Sequence, residues 1–387
     1  MVSRAERNVL ADWWFTVDKL MLAAFLLLIF GGIVLSLAAS PAIAERIGIE
    51  DSYYFVKRQA FFAVPAVMLL LGMSFCTPRQ IRRISMVLFA VCVVLLVATL
   101  FFGPEVKGSR RWISVLGFSL QPSEFVKPAF AVIVGFLLAE AKRRTDVPGT
   151  LFSMMLLGIL VALLVAQPDF GQTMLVALVW GAILFMAGMS WTWVLGLGGV
   201  GAGGAFLAYE ALPHVRERIN NFLNPDGGDS YQISTAMDAF HAGGWFGVGP
   251  GEGIVKRLIP DSHTDFILPV AAEEFGIVLV IGLVAIFAFT VLRGLSHAAR
   301  ETDGYVRLAT SGLIVLFGIQ SSINMAVSLH LVPAKGMTLP FISYGGSSLL
   351  AVAMAMGMVL ALTRRRPQQT RFMQPIGFEV GMAPRPA

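Results

Sequence analysis

Residues 18–40 read DKLMLAAFLLLIFGGIVLSLAAS, and from Leu20 to Ser40 there is no charged side chain. A helix crossing the hydrocarbon core of a bilayer needs about 20 mostly apolar residues, and this run supplies them. Arg4 and Arg7 precede it, as they would a secretory leader. The run is too long for a leader's apolar core and has no clear cleavage site, so it reads as a retained anchor. The fold follows from how often such runs recur. Further candidates lie at 57–76, 84–102, 122–141, 150–167, 170–188, 191–212, 264–293, 305–331 and 344–363. The expectation is an all-α polytopic membrane protein of about ten transmembrane helices, with one large periplasmic loop (213–263) between spans 7 and 8.

Composition agrees with that class. The chain of 387 residues is 56% hydrophobic and 14% charged, where soluble domains carry about 25% charged residues. No linker, low-complexity segment or fixed-period repeat divides it. The reading is a cytoplasmic N-terminal segment (1–17), a transmembrane domain (18–366) and a cytoplasmic tail (367–387). An even span count puts both termini on one side. Arg79, Arg82, Arg83, Lys142, Arg143, Arg144, Arg293, Arg300 and Arg307 gather on that same side, with the basic tail, which marks it as cytoplasmic. The net charge of +5 is spread in short clusters at helix ends, a pattern of topology rather than of nucleic-acid binding. Cys76 and Cys92 read as free packing residues, since no disulfide or metal-ligand spacing joins them.

Cations on the opposite side need another explanation, either a ligand or loop packing. They are Lys107, Arg110 and Arg111 in EVKGSRRWIS (105–114), and Arg216, Arg218, Lys256 and Arg257 in the long loop. Within that loop, YQISTAMDAFHAGG (231–244) puts Ile233, Met237 and Phe240 on one helical face, with Gly243 and Gly244 as a stop. The glycines of GGWFGVGPGEG (243–253) suit tight turns or close backbone approach. They do not make a nucleotide cradle, for no strand precedes them and no Gly-Lys-Ser/Thr follows.

The densest polar stretch is IPDSHTDFILPVAAEEFG (259–276). Asp265 falls at the outer mouth of span 8, and His263 or Thr264 is placed to cap that helix. Glu273 and Glu274 lie two to three turns deeper, where carboxylates must find partners in a protein interior or wet cavity. QPSEFVKP (121–128) puts Glu124 and Lys127 on one helix face, free to pair with each other. Asp169 in QPDFG (167–171) reads as a turn and cap residue. LVPAKGMTLPFISYGGSS (331–348) is a non-helical insertion carrying Lys335. Backbone of that kind is tolerated at membrane depth only where protein or water satisfies it. Taken together, Arg110 or Arg111, Lys127 and Lys335 offer cations around one exposed carboxylate, Asp265. Such a cavity suits an anionic, lipid-linked substrate: cations for a phosphate or pyrophosphate, and a carboxylate to take a proton from an attacking hydroxyl or to hold a divalent ion.

At these residues the chain resembles the SEDS family, which includes FtsW, RodA and SpoVE. The segments GSRRWIS, QPSEFVKP, HTDF with EEFG, and GMTLPFISYGGSS stand in the family's order and spacing over roughly residues 15–366. Lys335 makes the last one similar to the FtsW branch. The resemblance implies a peptidoglycan glycosyltransferase polymerising lipid II at the outer face of the bacterial inner membrane during cell division. A class B penicillin-binding protein would be its transpeptidase partner, with other division-complex membrane proteins. It implies Asp265 as the catalytic residue and Arg111, Trp112, Glu124, Lys127, Lys335, His263 and Ser343 as substrate-binding ones. A divalent cation, Mg2+ or Mn2+, and no nucleotide would complete the site, though no ligand cluster in the sequence names where the ion sits. Asp261, Pro269 and Ala272 depart from the family's usual residues and bear on the entry of span 8. Rival readings are a lipid II flippase, which broken helices and the inner polar residues Gln320 and Asn324 would also suit, a scaffold without chemistry, and a RodA-like elongation polymerase.

Overall fold

The structure, a computed structural model, describes residues 9–105, 108–115, 117–144, 146–211, 213–223, 228–333 and 336–364. The helices are α1 (Val9–Thr16), α2 (Lys19–Arg46), α3 (Tyr54–Ser74), α4 (Pro78–Phe102), α5 (Pro122–Arg143), α6 (Gly149–Ala166), α7 (Phe170–Met186), α8 (Trp191–Ala211), α9 (Pro213–Leu223), α10 (Gly228–Gly243), α11 (Ile267–Ala299), α12 (Gly304–Ser328) and α13 (Gly346–Leu362). A two-stranded antiparallel hairpin, β1 (Ile113–Val115) and β2 (Phe118–Leu120), precedes α5. The protein is therefore an all-α polytopic membrane protein. Helices α2–α8 and α11–α13 fall on the ranges expected from apolar runs. Among the described residues, seven helices are long and apolar enough to cross a membrane, and α7 and α13 are apolar but shorter.

Helix α12 is the hub. Of its most apolar window 72% is buried, against 0% for α8 at the periphery. It packs on α5, α7, α11 and α13, while α13 lies along α3. One end of the bundle is tied by polar contacts that hydropathy does not reveal. Trp13 of α1 stacks on Phe75 at 4.9 Å and donates its indole N–H to Ser74 Oγ at 2.8 Å. Asp18 caps α2 and takes Arg293 Nε at 2.7 Å and His297 Nε2 at 2.6 Å. Burial alone would raise the Asp18 carboxyl, but the Arg293 hydrogen bond and its companions hold it below its usual value.

At the opposite end two stretches of irregular backbone enter the bundle. The first runs from Gly336 to Gly345. Met337, Leu339, Phe341 and Ile342 are all buried, with Phe341 between Phe25 (5.9 Å) and Phe317 (6.2 Å). This plug presses on α2 so closely that a Cβ on Gly32 would stand 2.2 Å from the Phe341 carbonyl oxygen.

The second is a break in α11. Gly276 has φ 81° and ψ 174°, so residues 267–275 form a half-helix that ends inside the protein. The segment after α10 runs alongside the break. Val248 and Gly249 N–H groups donate to the carbonyls of Glu273 and Glu274, and Ile277 and Val278 N–H groups donate to Gly244 and Trp245. The half-helix begins at Ile267 with Phe266 in the cap position and no side-chain cap. The cap expected from His263 or Thr264 is not formed. Thr264 instead turns its hydroxyl back to the Asp261 carbonyl at 3.2 Å, because residues 261–266 form a turn before the helix starts.

Glu273 and Glu274 find their partners here. The two oxygens of Glu273 accept the backbone N–H groups of Val255 and Lys256, both at 2.7 Å. These residues lie in a short 3-10 turn, Val255–Arg257. Glu274 pairs with the Lys256 ammonium, which also donates to the Ala38 carbonyl of α2 at 3.0 Å. Lys256 thus has a loop-packing explanation, fastening the segment between α10 and α11 to α2 and α11.

Two outcomes test this architecture by thermal melting of the detergent-solubilised protein. Gly276→Ala puts a Cβ 2.3 Å from the Trp245 carbonyl oxygen at a positive φ, and should cost about 1–3 kcal/mol from backbone strain alone. Gly282→Ala, with nothing within 4 Å, should melt like the parent. Lys256→Met strands a buried carboxylate and should cost about 3–5 kcal/mol, with much of the loss recovered in the double variant Lys256→Met/Glu274→Gln.

Candidate active site

Asp265 stands in the turn before α11, half-buried. Its Oδ2 lies 3.8 Å from where a Cβ would sit on Gly336, so the carboxylate faces the start of the plug. The backbone around it is fixed on both sides. Asn324 Nδ2 donates to the Asp265 carbonyl at 3.0 Å and to the Met337 carbonyl at 2.6 Å. Ser343 Oγ donates to the Thr264 carbonyl and accepts the Leu339 N–H at 2.8 Å. The Tyr344 N–H reaches the His263 carbonyl at 2.9 Å. The His263 ring is wedged between Phe55 at 4.6 Å and Tyr344 at 5.4 Å. Asp265, His263 and Ser343 are thereby brought together, with Ser343 and His263 acting on the backbone that carries the carboxylate.

Glu124 and Lys127 form a second group. Both are almost fully buried, 5% and 3% exposed. The Lys127 ammonium has three N–H donors and three acceptors: Glu124 Oε2 at 2.9 Å, Gln172 Oε1 at 2.8 Å and Gln320 Oε1 at 3.1 Å. The Gln172 amide closes the ring on Glu124 Oε1 at 2.8 Å. All three ammonium protons are spent, so a phosphate could reach Lys127 only by displacing one of these acceptors. Gln320 also donates to the Thr338 carbonyl in the plug at 3.2 Å. Gln320 and Asn324 are one helical turn apart, about 6 Å along α12. The Lys127 group and the Asp265 turn therefore hold adjacent residues of one loop.

Arg111 leads to a third group. It donates from Nε to the Gln167 carbonyl at 3.3 Å, and also to the Pro168 carbonyl. Its Nη1 is 3.6 Å from Asp169 Oδ1. Asp169 caps α7, as expected from its turn sequence, through the Gln172 N–H. Burial pushes its carboxyl up from the usual carboxylate range, and the Arg111 guanidinium opposes that without overcoming it. Arg111 thus fastens the strand hairpin to the α6–α7 turn. Trp112, partly buried, follows it just before β1. Arg110 is exposed and 3.6 Å from Glu105. Lys335, like Lys107, lies outside the described residues.

The polar groups form one chain across the bundle end, from Arg111 through Asp169, Gln172 and Lys127 to Gln320, the plug, Asn324 and Asp265. Gln172 had escaped attention, although a lone amide in the apolar run of α7 is its own signal. Among the described residues no three of His, Cys, Asp and Glu are grouped to hold a metal. A lone carboxylate such as Asp265 would fit Mg2+ or Mn2+ only in the mode where phosphates of a bound molecule and water supply the other ligands.

Fold and site define an integral membrane protein with a polar, partly buried chemical centre at one end of a helical bundle. The model of the cell cycle protein family FtsW/RodA/SpoVE matches residues 18–368, and the chain belongs to that family. A probable peptidoglycan glycosyltransferase FtsW of Caulobacter vibrioides is 47% identical over 94% of both chains. The protein of the same description in Trichlorobacter lovleyi is 38% identical, over 89% of this chain and 93% of that one. Among solved structures, a chain from work described as "Structural coordination of polymerization and crosslinking by a peptidoglycan synthase complex" superposes with TM-score 0.75. Its identity is 25%, over 90% of this chain and 98% of that one. The rod shape determining protein RodA of Thermus thermophilus gives TM-score 0.68 and 25% identity, over 92% and 99%.

The buried Asp169 yields a pH test. An acid whose folded pKa is raised holds its proton more tightly when folded, so stability falls as pH rises from the unfolded value, near 3.8, through the folded one. Asp169→Asn keeps a capping oxygen and removes the titration. Its melting temperature should exceed the parent's at pH 7, and the gap should close as pH is lowered towards 4.

Proposed function

We propose that this chain is a peptidoglycan glycosyltransferase that polymerises lipid II at the outer face of the cytoplasmic membrane during cell division. The reading is supported by the description of its relatives and by one observation above all. A single carboxylate, Asp265, is pinned by its backbone at the bundle end, facing the loop that carries Lys335.

In the proposed reaction the donor sugar is bonded through its anomeric carbon to undecaprenyl pyrophosphate. The acceptor's 4-hydroxyl oxygen attacks that carbon, the carbon–oxygen bond to pyrophosphate breaks, and the sugar configuration inverts. Asp265 accepts the hydroxyl proton. The leaving group is already activated, so neither a nucleotide nor a second carboxylate is required. Charge growing on the departing pyrophosphate calls for cations. Lys335 is the candidate nearest in sequence to the Asp265-facing loop. Lys127, whose three donors are taken up by protein acceptors, and Arg111, which donates to the Gln167 and Pro168 carbonyls, act by holding the loop and the hairpin in place. Glu124 keeps the Lys127 charge compensated within the bundle. Trp112 would stack on a sugar or lipid headgroup. A Mg2+ or Mn2+ ion, if held by Asp265, would neutralise the pyrophosphate.

The same reading assigns both termini and the basic end of the bundle to the cytoplasm, by the distribution of Lys and Arg. It assigns the protein to the division septum, with a class B penicillin-binding protein as transpeptidase partner. Purified protein, labelled lipid II and a candidate transpeptidase provide the test. Asp265→Asn should lower glycan formation by about 100-fold or more with an unchanged melting temperature. Polymerisation at the parent's rate would reject Asp265 as the base, and no polymer from the parent, with or without the partner, would reject the activity.

A further inference from the structure

At the end of the bundle away from Asp265, a cavity of about 370 Å³ opens between the ends of α5 and α7 and the first turns of α8. It is not an extension of the site just described. Lys142, at its mouth, and Lys127 are roughly 22 Å apart along the axis of α5. The walls are apolar, formed chiefly by Leu138, Trp180, Leu184 and Leu197. Trp180 adds only its ring, since its indole N–H already goes to Ser153 Oγ at 3.3 Å.

The mouth carries charge. Lys142 lines the cavity, and its ammonium lies 3.0 Å from the position a Cβ would take on Gly188, in the α7–α8 turn. Among the described residues no carboxylate forms an ion pair with it. Arg144, two residues on, is tied to Glu140 at 3.1 Å. Ser190 puts a hydroxyl on the same rim. Helix α8 stands at the periphery and buries none of its apolar window, although Leu197 packs partly buried against the core and Trp191 lies 5.5 Å from Phe185 of α7.

A cation that no carboxylate pairs with among the described residues, above an apolar slot, is the complement of an anionic head on an apolar chain. Inorganic phosphate would answer the charge and leave the slot empty. A zwitterionic lipid would fill the slot while bringing its own cation to the mouth. We propose that this cavity binds an anionic phospholipid, such as phosphatidylglycerol, from the leaflet at the basic end of the bundle. Its phosphate sits on Lys142, and one acyl chain runs between α7 and α8 along Trp180 and Leu184. Basic clefts between helices at the cytoplasmic side are suited to such headgroups.

Native mass spectrometry of the full-length protein tests this, with phosphatidylglycerol or phosphatidylethanolamine added to the detergent. Lys142 is exposed, so Lys142→Gln should fold normally. It should bind phosphatidylglycerol about fivefold more weakly than the parent. Arg143→Gln, on the same turn but outside the cavity, should bind it like the parent. Leu197→Trp, which narrows the slot and keeps the charge, should also weaken binding. Parent-like retention of phosphatidylglycerol by Lys142→Gln or Leu197→Trp would overturn the proposal. So would equal retention of phosphatidylethanolamine by the parent, or displacement of phosphatidylglycerol by millimolar inorganic phosphate.

Discussion

The structure depends on one constraint: backbone that leaves the helical state inside the bundle must find hydrogen-bond partners other than its own turn. An unsatisfied N–H or C=O in an apolar setting costs several kcal/mol, by order of magnitude, and no water is on hand to relieve it. Residues 336–345 are the severe case, for a single turn, in which the Ile342 and Ser343 N–H groups donate to the Leu339 carbonyl, is all the pairing of helical type they have among the described residues. Asn324, Gln320, Gln59, Ser343 and the His263 carbonyl each meet one of their polar groups. Polar side chains in α12 and α3 that look out of place in apolar runs are there to receive this loop.

The break in α11 obeys the same constraint with charge in place of amides. Ending a helix at Gly276 frees carbonyls at Glu273 and Glu274, which the segment after α10 takes up. The Glu273 side chain then satisfies the N–H groups that start the 3-10 turn, and Lys256 neutralises Glu274 while reaching α2. A buried ion pair adds little net stability against an apolar replacement. Its use as a register device, fixing which residues meet, is better attested. Here it sets where the segment between α10 and α11 docks, a few residues from the turn that carries Asp265.

These two devices meet at the site. The plug is held from one side by the Lys127 group through Gln320 and from the other by the Asp265 turn through Asn324. The carboxylate, the loop that carries Lys335 and the buried ion pair of α5 are parts of one hydrogen-bonded assembly. In the proposed function, Asp265 as base would gain from such fixing because its reach to a reacting hydroxyl is set before substrate arrives. The cations here have protein partners of their own: Lys127 spends its three donors on Glu124, Gln172 and Gln320, Arg111 donates to the α6–α7 turn, and Lys256 to Glu274 and α2.

The sequence by itself determined the membrane class, the positions of the apolar helices, the helix ending at Gly243 and a non-helical insertion, read over 331–348 and observed at 331–333 and 336–345, with α13 beginning at Gly346. All of these rest on local signals: runs of apolar residues, glycine and proline placement, and the cost of charge beside lipid. It also marked Asp265, Glu124 and Lys127 as exceptional, because ionisable groups in apolar surroundings demand a reason. Which partner each found was decided by tertiary structure alone. Lys256 and Glu274 are close only because the segment between α10 and α11 folds back on a broken helix. Lys127 meets Gln172 and Gln320 only because α5, α7 and α12 pack together. The cap expected at His263 or Thr264 failed for the same reason, since the turn before α11 is shaped by the plug and not by the helix it precedes. The short helix α1 and the hairpin at 113–120 also went unforeseen, because both are too short to carry a periodic signal and are held by contacts from distant segments.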